Sequence, residues 1–244
     1  MSLRLDKVLL QRGLVPTRSR ARDLIVRGAV SVAGTVELKP GALVAEDAPI
    51  VLAEPSDYIS RGALKLEAAL DAFGFDARGR VALDVGASTG GFTDVLLRRG
   101  AKHVFAVDVG HGQLHPRLAE DVRVTSLEGQ DVRGLTVREI PQRVGAIVAD
   151  VSFISLEKSL PAALAFAAPG CWLVALVKPQ FEAGREAVGK GGIVRDAAVR
   201  DAQADKISAW LDGLPGWRVV GVIPSPIEGG SGNLEFLLGA VHDG

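Results

Sequence analysis

Short apolar runs alternate with helical hydrophobic patterns through most of this chain. The apolar runs predict strands at residues 81–86, 103–109, 122–126, 145–151, 171–177, 217–223 and 233–241. The patterns between them predict helices at residues 62–73, 90–99, 156–167 and 195–213. Because parallel strands are joined by long crossovers, usually helices, this alternation predicts an α/β fold with a seven-stranded, mostly parallel sheet. Ligands of such sheets bind beyond the carboxyl ends of the strands, so polar residues at those ends are the candidate site.

The composition is that of a globular chain and excludes several other classes. Of the 244 residues, 48% are hydrophobic and 23% are charged, which does not fit disordered, collagen-like or coiled-coil sequences. The single cysteine, Cys171, excludes an intramolecular disulfide, and with only four histidines we expect no protein metal site. The charged N-terminus and the short apolar runs predict a cytoplasmic protein without a signal peptide or a membrane contact.

Positive charge is concentrated in the first 40 residues. They hold eight basic and three acidic side chains, a formal charge of +5, whereas the remainder holds 20 basic and 26 acidic side chains, a formal charge of −6. This asymmetry would steer a polyanion such as a nucleic acid to one end of the molecule. A solvated helix face has the same signature, so charge alone leaves both interpretations open.

The pattern of this basic segment predicts a small α+β domain. Helical spacing predicts one helix that ends at Gly13 and a second from Thr17 to Val26. Alternating apolar residues around Ala33-Gly34 predict a hairpin, and a further strand is expected at 49–52. We place this domain at residues 1–54, a proline-containing linker at 55–60 and the α/β domain at 61–244.

The segment Arg4-Leu5-Asp6-Lys7, followed by Arg18-x-Arg20-Ala21, resembles the small RNA-binding domain first known from a small-subunit ribosomal protein. The resemblance implies that the domain grips structured RNA through phosphate contacts, with little reading of sequence. The implied RNA-binding residues are Arg4, Lys7, Arg18, Arg20 and Arg22.

A glycine-rich loop follows the first strand of the α/β domain, in the run Asp84-Val85-Gly86-Ala87-Ser88-Thr89-Gly90-Gly91-Phe92. Such a loop permits a tight turn and leaves helix N–H groups free for a ligand. Its spacing is not that of a dinucleotide-binding loop, and Asp84 would repel a pyrophosphate but suits the cationic end of S-adenosylmethionine. A purely structural turn is the alternative. The predicted cofactor-binding residues in this run are Asp84, Gly86, Ser88, Gly90, Gly91 and Phe92.

Two further carboxylates are predicted to hold the cofactor. Asp108 ends the second strand and could accept hydrogen bonds from a ribose diol, although a strand-end aspartate often serves only as a turn or cap. Asp131 follows the third strand and could contact the adenine; a solvated loop residue is an equal alternative.

Charged residues follow the fourth and fifth strands. Asp150 and Lys178 come directly after apolar strand residues, so we expect them to pair beside the cofactor, either for catalysis or as a structural ion pair. Lys65 begins the first helix of the domain, and Glu235 lies in the predicted last strand. A lone strand charge can also protect a sheet edge.

Motifs along nearly the whole chain resemble the TlyA family, once labelled hemolysins, whose main domain is similar to the FtsJ-type ribose methyltransferases. They include residues 58–66, the glycine loop, Asp150-Val151-Ser152-Phe153, Val177-Lys178-Pro179 and Asn233-Leu234-Glu235-Phe236. The resemblance implies a Rossmann-like methyltransferase that uses S-adenosylmethionine to methylate a ribose 2′-hydroxyl of ribosomal RNA, with a cytidine as the target. It also implies a catalytic tetrad of Lys65, Asp150, Lys178 and Glu235.

In this interpretation Lys178 contacts the reacting oxygen, Asp150 orients Lys178, and Lys65 and Glu235 position the ribose. Whether Lys178 removes the proton as an amine or stabilises the oxyanion as an ammonium stays open. The glycine-rich segment 182–192 is either a lid or a surface loop. Two other functions remain as alternatives: a catalytically inert RNA-binding or assembly factor, and a pore-forming hemolysin.

Overall fold

The computed structural model describes residues 2–26, 28–52, 58–184, 186, 188–189, 191–229 and 232–244. The chain divides into two compact units, residues 1–61 and 62–244. Residues 55–57 of the proposed linker lie outside the described part, as do positions 185, 187 and 190 of the glycine-rich segment 182–192.

The first unit is an α+β domain. Its elements, in chain order, are β1 (Ser2–Arg4), α1 (Leu5–Gln11), α2 (Arg18–Val26), β2 (Val30–Val32), β3 (Thr35–Val36), β4 (Leu43–Ala45) and β5 (Ile50–Leu52). Strand β1 pairs with β4, and β2 lies between β3 and β5, all antiparallel. Ala33 and Gly34 both have positive φ, 49° and 83°, which is the two-residue hairpin turn that matches strand twist. Leu5, Leu9 and Ile25 are fully buried where α1 and α2 pack together.

The second unit is an α/β domain. Its first half contains α3 (Gly62–Phe73), β6 (Val81–Val85), α4 (Gly91–Arg98), β7 (His103–Asp108), α5 (Pro116–Ala119), β8 (Val124–Glu128) and a 3-10 helix (Val132–Gly134). Its second half contains β9 (Val144–Ala149), α6 (Leu156–Leu164), β10 (Ala167–Val177), α7 (Pro179–Glu182), α8 (Ala197–Asp212), β11 (Trp217–Pro224) and β12 (Phe236–His242).

Within the described residues, seven strands form one sheet in the order β11-β12-β10-β9-β6-β7-β8. Strands β10, β9, β6, β7 and β8 are mutually parallel, and β12 is antiparallel to both of its neighbours. This sheet confirms the predicted fold class. After β6 the chain builds outward to β7 and β8, then returns to place β9 on the other side of β6. That reversal of strand order is the switch point at which such sheets bind ligands.

The last strand begins later than the sequence predicts. It starts at Phe236 instead of residue 233, so Glu235 precedes the strand and is not inside it. Because β12 runs antiparallel to β10, its start lies at the same edge of the sheet as the end of β10. Glu235 therefore reaches the carboxyl edge, where the other candidate residues lie.

Apolar strand residues fill the core of the second unit. Leu83, Ile147 and Leu173 of three neighbouring central strands are fully buried, and Leu160 of α6 and Ile207 of α8 pack into the same cluster. Strands covered on both faces need this continuous apolar character, which explains why their ends are so clear in the sequence. None of the helices in the described ranges is both long and apolar enough to cross a membrane.

Candidate functional site

Lys178 and Asp150 meet at the ends of β10 and β9. The Nζ of Lys178 lies 2.6 Å from Oδ1 of Asp150, an ionic contact, and donates a hydrogen bond of 2.9 Å to the Ser152 hydroxyl. Lys178 is buried, whereas the Asp150 side chain keeps 25% of its exposure. The Asp150 backbone N–H donates to the carbonyl of Val85, which joins this pair to the end of β6.

Lys65 and Glu235 form a second pair at the same edge. Their Nζ and Oε2 atoms lie 2.5 Å apart, and both side chains are buried. Lys65 lies in the first turn of α3, and Glu235 directly precedes β12. Bare backbone at Gly229 makes room for the carboxylate, because a Cβ there would collide with the Glu235 side chain.

Strand register brings the two pairs next to each other. Val177 of β10 pairs with Phe236 of β12, so Lys178 and Glu235 occupy neighbouring positions just beyond that rung. The four predicted residues therefore gather at one edge as two cations and two anions. This arrangement can hold a hydroxyl group while keeping the local net charge near zero.

The glycine loop adjoins this cluster. Gly86 has a φ of +81°, and a Cβ there would lie 2.6 Å from the Asp150 carbonyl oxygen. Ser88 and Gly90 also have positive φ, 49° and 95°, and Gly90 is the N-cap of α4. The loop thus turns tightly against Asp150, and leads through Gly91 into the buried Phe92 at the start of the helix.

Asp84 is fully buried below the loop. Its Oδ2 accepts a 2.6 Å hydrogen bond from the Thr93 hydroxyl, so the carboxyl group ties β6 to the first turn of α4. The pKa of Asp84 is raised to about 7, mainly because the side chain is buried. The hydrogen bond from Thr93 lowers this pKa, whereas the charge of Asp150 raises it. Its Oδ1 has no hydrogen-bond partner among the described residues. A buried carboxylate oxygen without a partner fits a cationic ligand in this place.

Asp108 holds the loop from the other side. One carboxylate oxygen accepts from the Ser88 N–H at 2.8 Å and the other from the Gly110 N–H at 2.7 Å. These are the turn and cap contacts considered as the alternative to diol binding. Each oxygen retains a lone pair, so the diol contact stays a prediction.

Asp131 caps the 3-10 helix. It pairs with the Arg133 guanidinium at 2.5 Å and accepts a hydrogen bond from the Arg133 N–H at 2.9 Å, and these contacts lower the pKa of Asp131 to about 2. Its contact with an adenine stays a prediction.

The predicted RNA-binding residues lie in the first unit. Arg4, Arg18 and Arg22 all contact the buried carboxylate of Asp6, and Arg20 pairs with Asp23 on α2. Lys7 is exposed on α1. Asp6 is one of three acidic residues in this basic segment, and no local sequence pattern indicates that it is buried and contacted by three arginines.

Phe153 is a candidate that the sequence reasoning missed. It is 92% exposed and adopts a φ of +65°, which is rare for a bulky side chain and costs roughly 1–3 kcal/mol. Its ring centroid lies 5.0 Å from that of Phe181, whose ring lies 5.9 Å from the Lys178 Nζ. The sequence places Phe153 three residues after Asp150, but only the backbone conformation reveals that the ring faces solvent beside the cluster.

Asn233 anchors one end of the glycine-rich segment 182–192. The buried Asn233 side chain accepts from the Val194 N–H at 3.0 Å and donates to the Gly192 carbonyl at 2.8 Å. The alternatives of a lid and a surface loop stay untested predictions.

Two known protein families match the chain. The FtsJ-like methyltransferase family matches residues 58–241, and the S4 domain family matches residues 3–50. Among curated relatives, the 16S/23S rRNA (cytidine-2′-O)-methyltransferase TlyA of Mycobacterium tuberculosis is 46% identical, covering 96% of this chain and 88% of its own. Hemolysin A of Brachyspira hyodysenteriae is 40% identical, and the match covers 96% of this chain and 98% of that protein.

A solved structure of a hemolysin-named protein from Streptococcus thermophilus is 41% identical, covering 99% of this chain and 88% of its own with a TM-score of 0.74. These findings confirm the predicted methyltransferase class and S-adenosylmethionine as its cofactor. The chain belongs to the FtsJ-like methyltransferases and, with its N-terminal S4 domain, to the TlyA family.

Proposed function

We propose that this chain transfers a methyl group from S-adenosylmethionine to a ribose 2′-hydroxyl of ribosomal RNA, with a cytidine as the target. The observation that carries this proposal is the pair of ionic contacts, Lys178–Asp150 and Lys65–Glu235, at neighbouring strand ends beside the glycine loop. The activity for which the M. tuberculosis relative is named supports the same reaction.

Lys178 is the proposed contact to the reacting oxygen. A ribose hydroxyl is a poor nucleophile near neutral pH, so the site must favour its oxyanion and hold it in line. The Lys178 Nζ contacts both Asp150 and Ser152, which limits the conformational freedom of the lysine side chain. Lys65 and Glu235 are the proposed contacts that position the ribose, because their buried ion pair fixes both side chains and Glu235 neighbours Lys178.

The cofactor supplies an electrophilic methyl group on a sulfonium centre. Residues of the loop fit it: Gly86 packs against the Asp150 carbonyl and Gly90 against Leu114 and Leu118 with no room for a Cβ, which holds the tight turn, and the unpartnered Asp84 oxygen is suited to its cationic end. Ser88 and Phe92 complete the loop, while Asp108 and Asp131 are the proposed contacts to the ribose diol and the adenine. No step of this proposal requires a protein-bound metal.

Phe153 and Phe181 are the proposed contacts for the target base. An aromatic ring that is almost fully exposed gains stability only when another surface covers it, and nucleic-acid bases stack on such rings. The ring pair lies next to Lys178, as base stacking at the reacting nucleotide would require.

The N-terminal domain is proposed to recruit ribosomal RNA or ribosomal subunits through Arg4, Lys7, Arg18, Arg20 and Arg22. We propose residues 1–54 as this domain, 55–60 as the linker and 61–244 as the catalytic domain. A ribosomal substrate also supports a cytoplasmic location for the chain.

The test is methyl transfer from labelled S-adenosylmethionine to purified small and large ribosomal subunits, followed by mass-spectrometric mapping. We expect label on a ribose 2′-oxygen of cytidine and none when that position is already methylated. Binding to subunits without transfer would support the assembly-factor alternative instead. Leakage of dye-loaded liposomes by the purified chain, without transfer, would support pore formation.

A further inference from the structure

Asp6 is a fully buried carboxylate with three arginine partners. It lies in the first turn of α1, and the contacts are 3.1 Å from Arg4, 2.9 Å from Arg18 and 3.3 Å from Arg22. The hydrogen bond from the Arg4 guanidinium, together with weaker effects of Arg18 and Arg22, holds the pKa of Asp6 well below its usual range. Burial alone would raise this pKa. Asp6 is therefore ionised throughout the neutral range.

The three arginines remain available to a ligand although they contact Asp6. Their side chains retain 40%, 43% and 56% of full exposure, so all three are partly open to solvent while they contact the carboxylate. One carboxylate balances one of the three positive charges. The cluster therefore presents a net charge of +2 at the surface of the domain.

The cluster needs Asp6 to hold its geometry. Arg18 and Arg22 stand four residues apart on α2, where like charges repel. Arg4 comes from the end of β1, and its guanidinium packs against Gly41, where a Cβ would lie 3.2 Å from Nη1. Without the shared carboxylate, these long side chains would separate and lose a common orientation.

We propose that Asp6 is a positioning residue that assembles Arg4, Arg18 and Arg22 into one binding site for phosphate oxygens of an RNA backbone. Guanidinium forks bind phosphate through paired hydrogen bonds, and side chains ordered during folding lose less entropy on binding. This inference rests on the proposed RNA-binding function of the domain and adds the residue that organises its site.

Removing the Asp6 charge separates positioning from net charge. Asp6→Asn makes the domain more positive by one charge, so long-range attraction alone predicts tighter RNA binding. Positioning predicts the opposite, because the arginines lose their common anchor. Asp23→Asn is the matched control, since it makes the same charge change on the same domain at the pair formed by Arg20.

The experiment measures the affinity of the full chain for ribosomal subunits and for a ribosomal RNA fragment over a range of KCl concentrations. We expect Asp6→Asn to bind about 10-fold more weakly than wild type. We also expect the slope of log affinity against log KCl concentration to decrease in magnitude by about one. We expect Asp23→Asn to bind as tightly as wild type or tighter. Equal affinities of the two variants overturn the inference; absence of RNA binding by wild type would instead overturn the proposed function.

Folding of the domain is followed separately by hydrogen exchange at the backbone amides of Ser31 and Val32. If Asp6→Asn loses their protection, the combined Arg18→Lys and Arg22→Lys variant replaces it, because it keeps every charge but removes two guanidinium forks. We then expect about 10-fold weaker binding, with Arg138→Lys, at an exposed position outside the RNA-binding residues, as the control at wild-type affinity. Wild-type affinity of the double variant overturns the inference.

Discussion

Lys65 and Glu235 stand 170 positions apart in the chain and form a buried ion pair, with 2.5 Å between Nζ and Oε2. The pair connects the first helix of the methyltransferase domain to the residue that directly precedes its last sheet strand. Two buried charges bonded to each other are costly to separate, so the pair offers a way to distinguish stability from catalysis.

Glu235→Gln should destabilise the domain because it leaves the Lys65 ammonium buried without its counter-charge, at roughly 3–5 kcal/mol. Replacing both residues with methionine should restore the free energy of unfolding but not methyl transfer. Denaturation followed by tryptophan fluorescence measures the first quantity, since Trp172, Trp210 and Trp217 all belong to this domain.

The control is Glu157→Gln, which breaks the more exposed pair with Lys206 and should cost no more than about 1 kcal/mol. Wild-type turnover in the double methionine variant would show that the pair is structural only.

Lys178→Ala should lower the rate of methyl transfer at least about 100-fold while calorimetric binding of S-adenosylmethionine is largely kept. The reason is that the Lys178 Nζ, fixed by Asp150 and Ser152, is the proposed contact to the reacting oxygen. Lys158→Ala, at an exposed position of α6, is the control with the same side-chain loss. Unchanged turnover would remove Lys178 from the mechanism.

Asp84 should make the unfolding free energy depend on pH. Its folded pKa of about 7 lies above the unfolded value near 4, so between these pH values the folded protein keeps a proton that the unfolded chain has released. The contribution of Asp84 to the free energy of unfolding is therefore greatest below about pH 4 and declines as the pH rises towards 7. Above pH 7 this contribution is lower by roughly 4 kcal/mol than at low pH.

Asp84→Asn removes this dependence. Relative to wild type, the variant should gain more stability at pH 8 than at pH 5, and it should bind S-adenosylmethionine more weakly because the carboxylate is lost. Tryptophan-monitored urea titrations at both pH values measure the first effect and calorimetry the second. The same stability difference at both pH values would contradict the raised pKa.

Phe153→Gly should stabilise the protein by roughly 1 kcal/mol and reduce methyl transfer to RNA. Glycine adopts the φ of +65° without strain, whereas the ring itself contributes little to the core because it is 92% exposed. Phe153→Trp should retain transfer, since it keeps a ring for base stacking. Methyl-transfer kinetics with ribosomal subunits distinguish loss of base stacking from relief of backbone strain. Val122→Ala, which changes an equally exposed side chain, is the control. Full activity of Phe153→Gly would end the stacking proposal.

Gly86→Ala should abolish cofactor binding, because a Cβ would lie 2.6 Å from the Asp150 carbonyl oxygen and force the loop and Asp150 apart. Gly74→Ala is the matched control: its φ of +68° is equally unfavourable for alanine, but no atom lies within 4 Å of the added carbon. Both variants should lose roughly 1 kcal/mol of stability from backbone strain. Only Gly86→Ala should lose calorimetric binding of S-adenosylmethionine.

Residues at strand ends were the most predictable part of the candidate site. Asp150 and Lys178 each follow an uninterrupted apolar run, and the parallel sheet brings such positions to one edge whatever the details of packing. Asp108 was equally predictable from its position at a strand end. Its two hydrogen bonds to loop N–H groups were not predictable, because capping a loop and binding a ligand use the same carboxylate oxygens.

Glu235 shows where local pattern is insufficient. The apolar run around it predicts a strand from residue 233, yet pairing with β10 begins at Phe236, and strand pairing is decided by the partner and not by the run itself. The same limit applies to Phe153, since its positive φ arises from the turn after β9 and has no signature in residue type.

By itself the sequence determined the alternation of strands and helices, the glycine loop, the basic N-terminal segment and the family, because each of these depends on the kind and spacing of nearby residues. The resemblance placed Lys65 and Glu235 in one tetrad, but tertiary structure alone decided that these two form an ion pair. It also decided that Asp84 bonds to Thr93 and that Asp6 is buried in contact with three arginines. Partners of a charged side chain depend on which distant segments the fold brings within about 4 Å of it, and a local pattern carries no information about that distance.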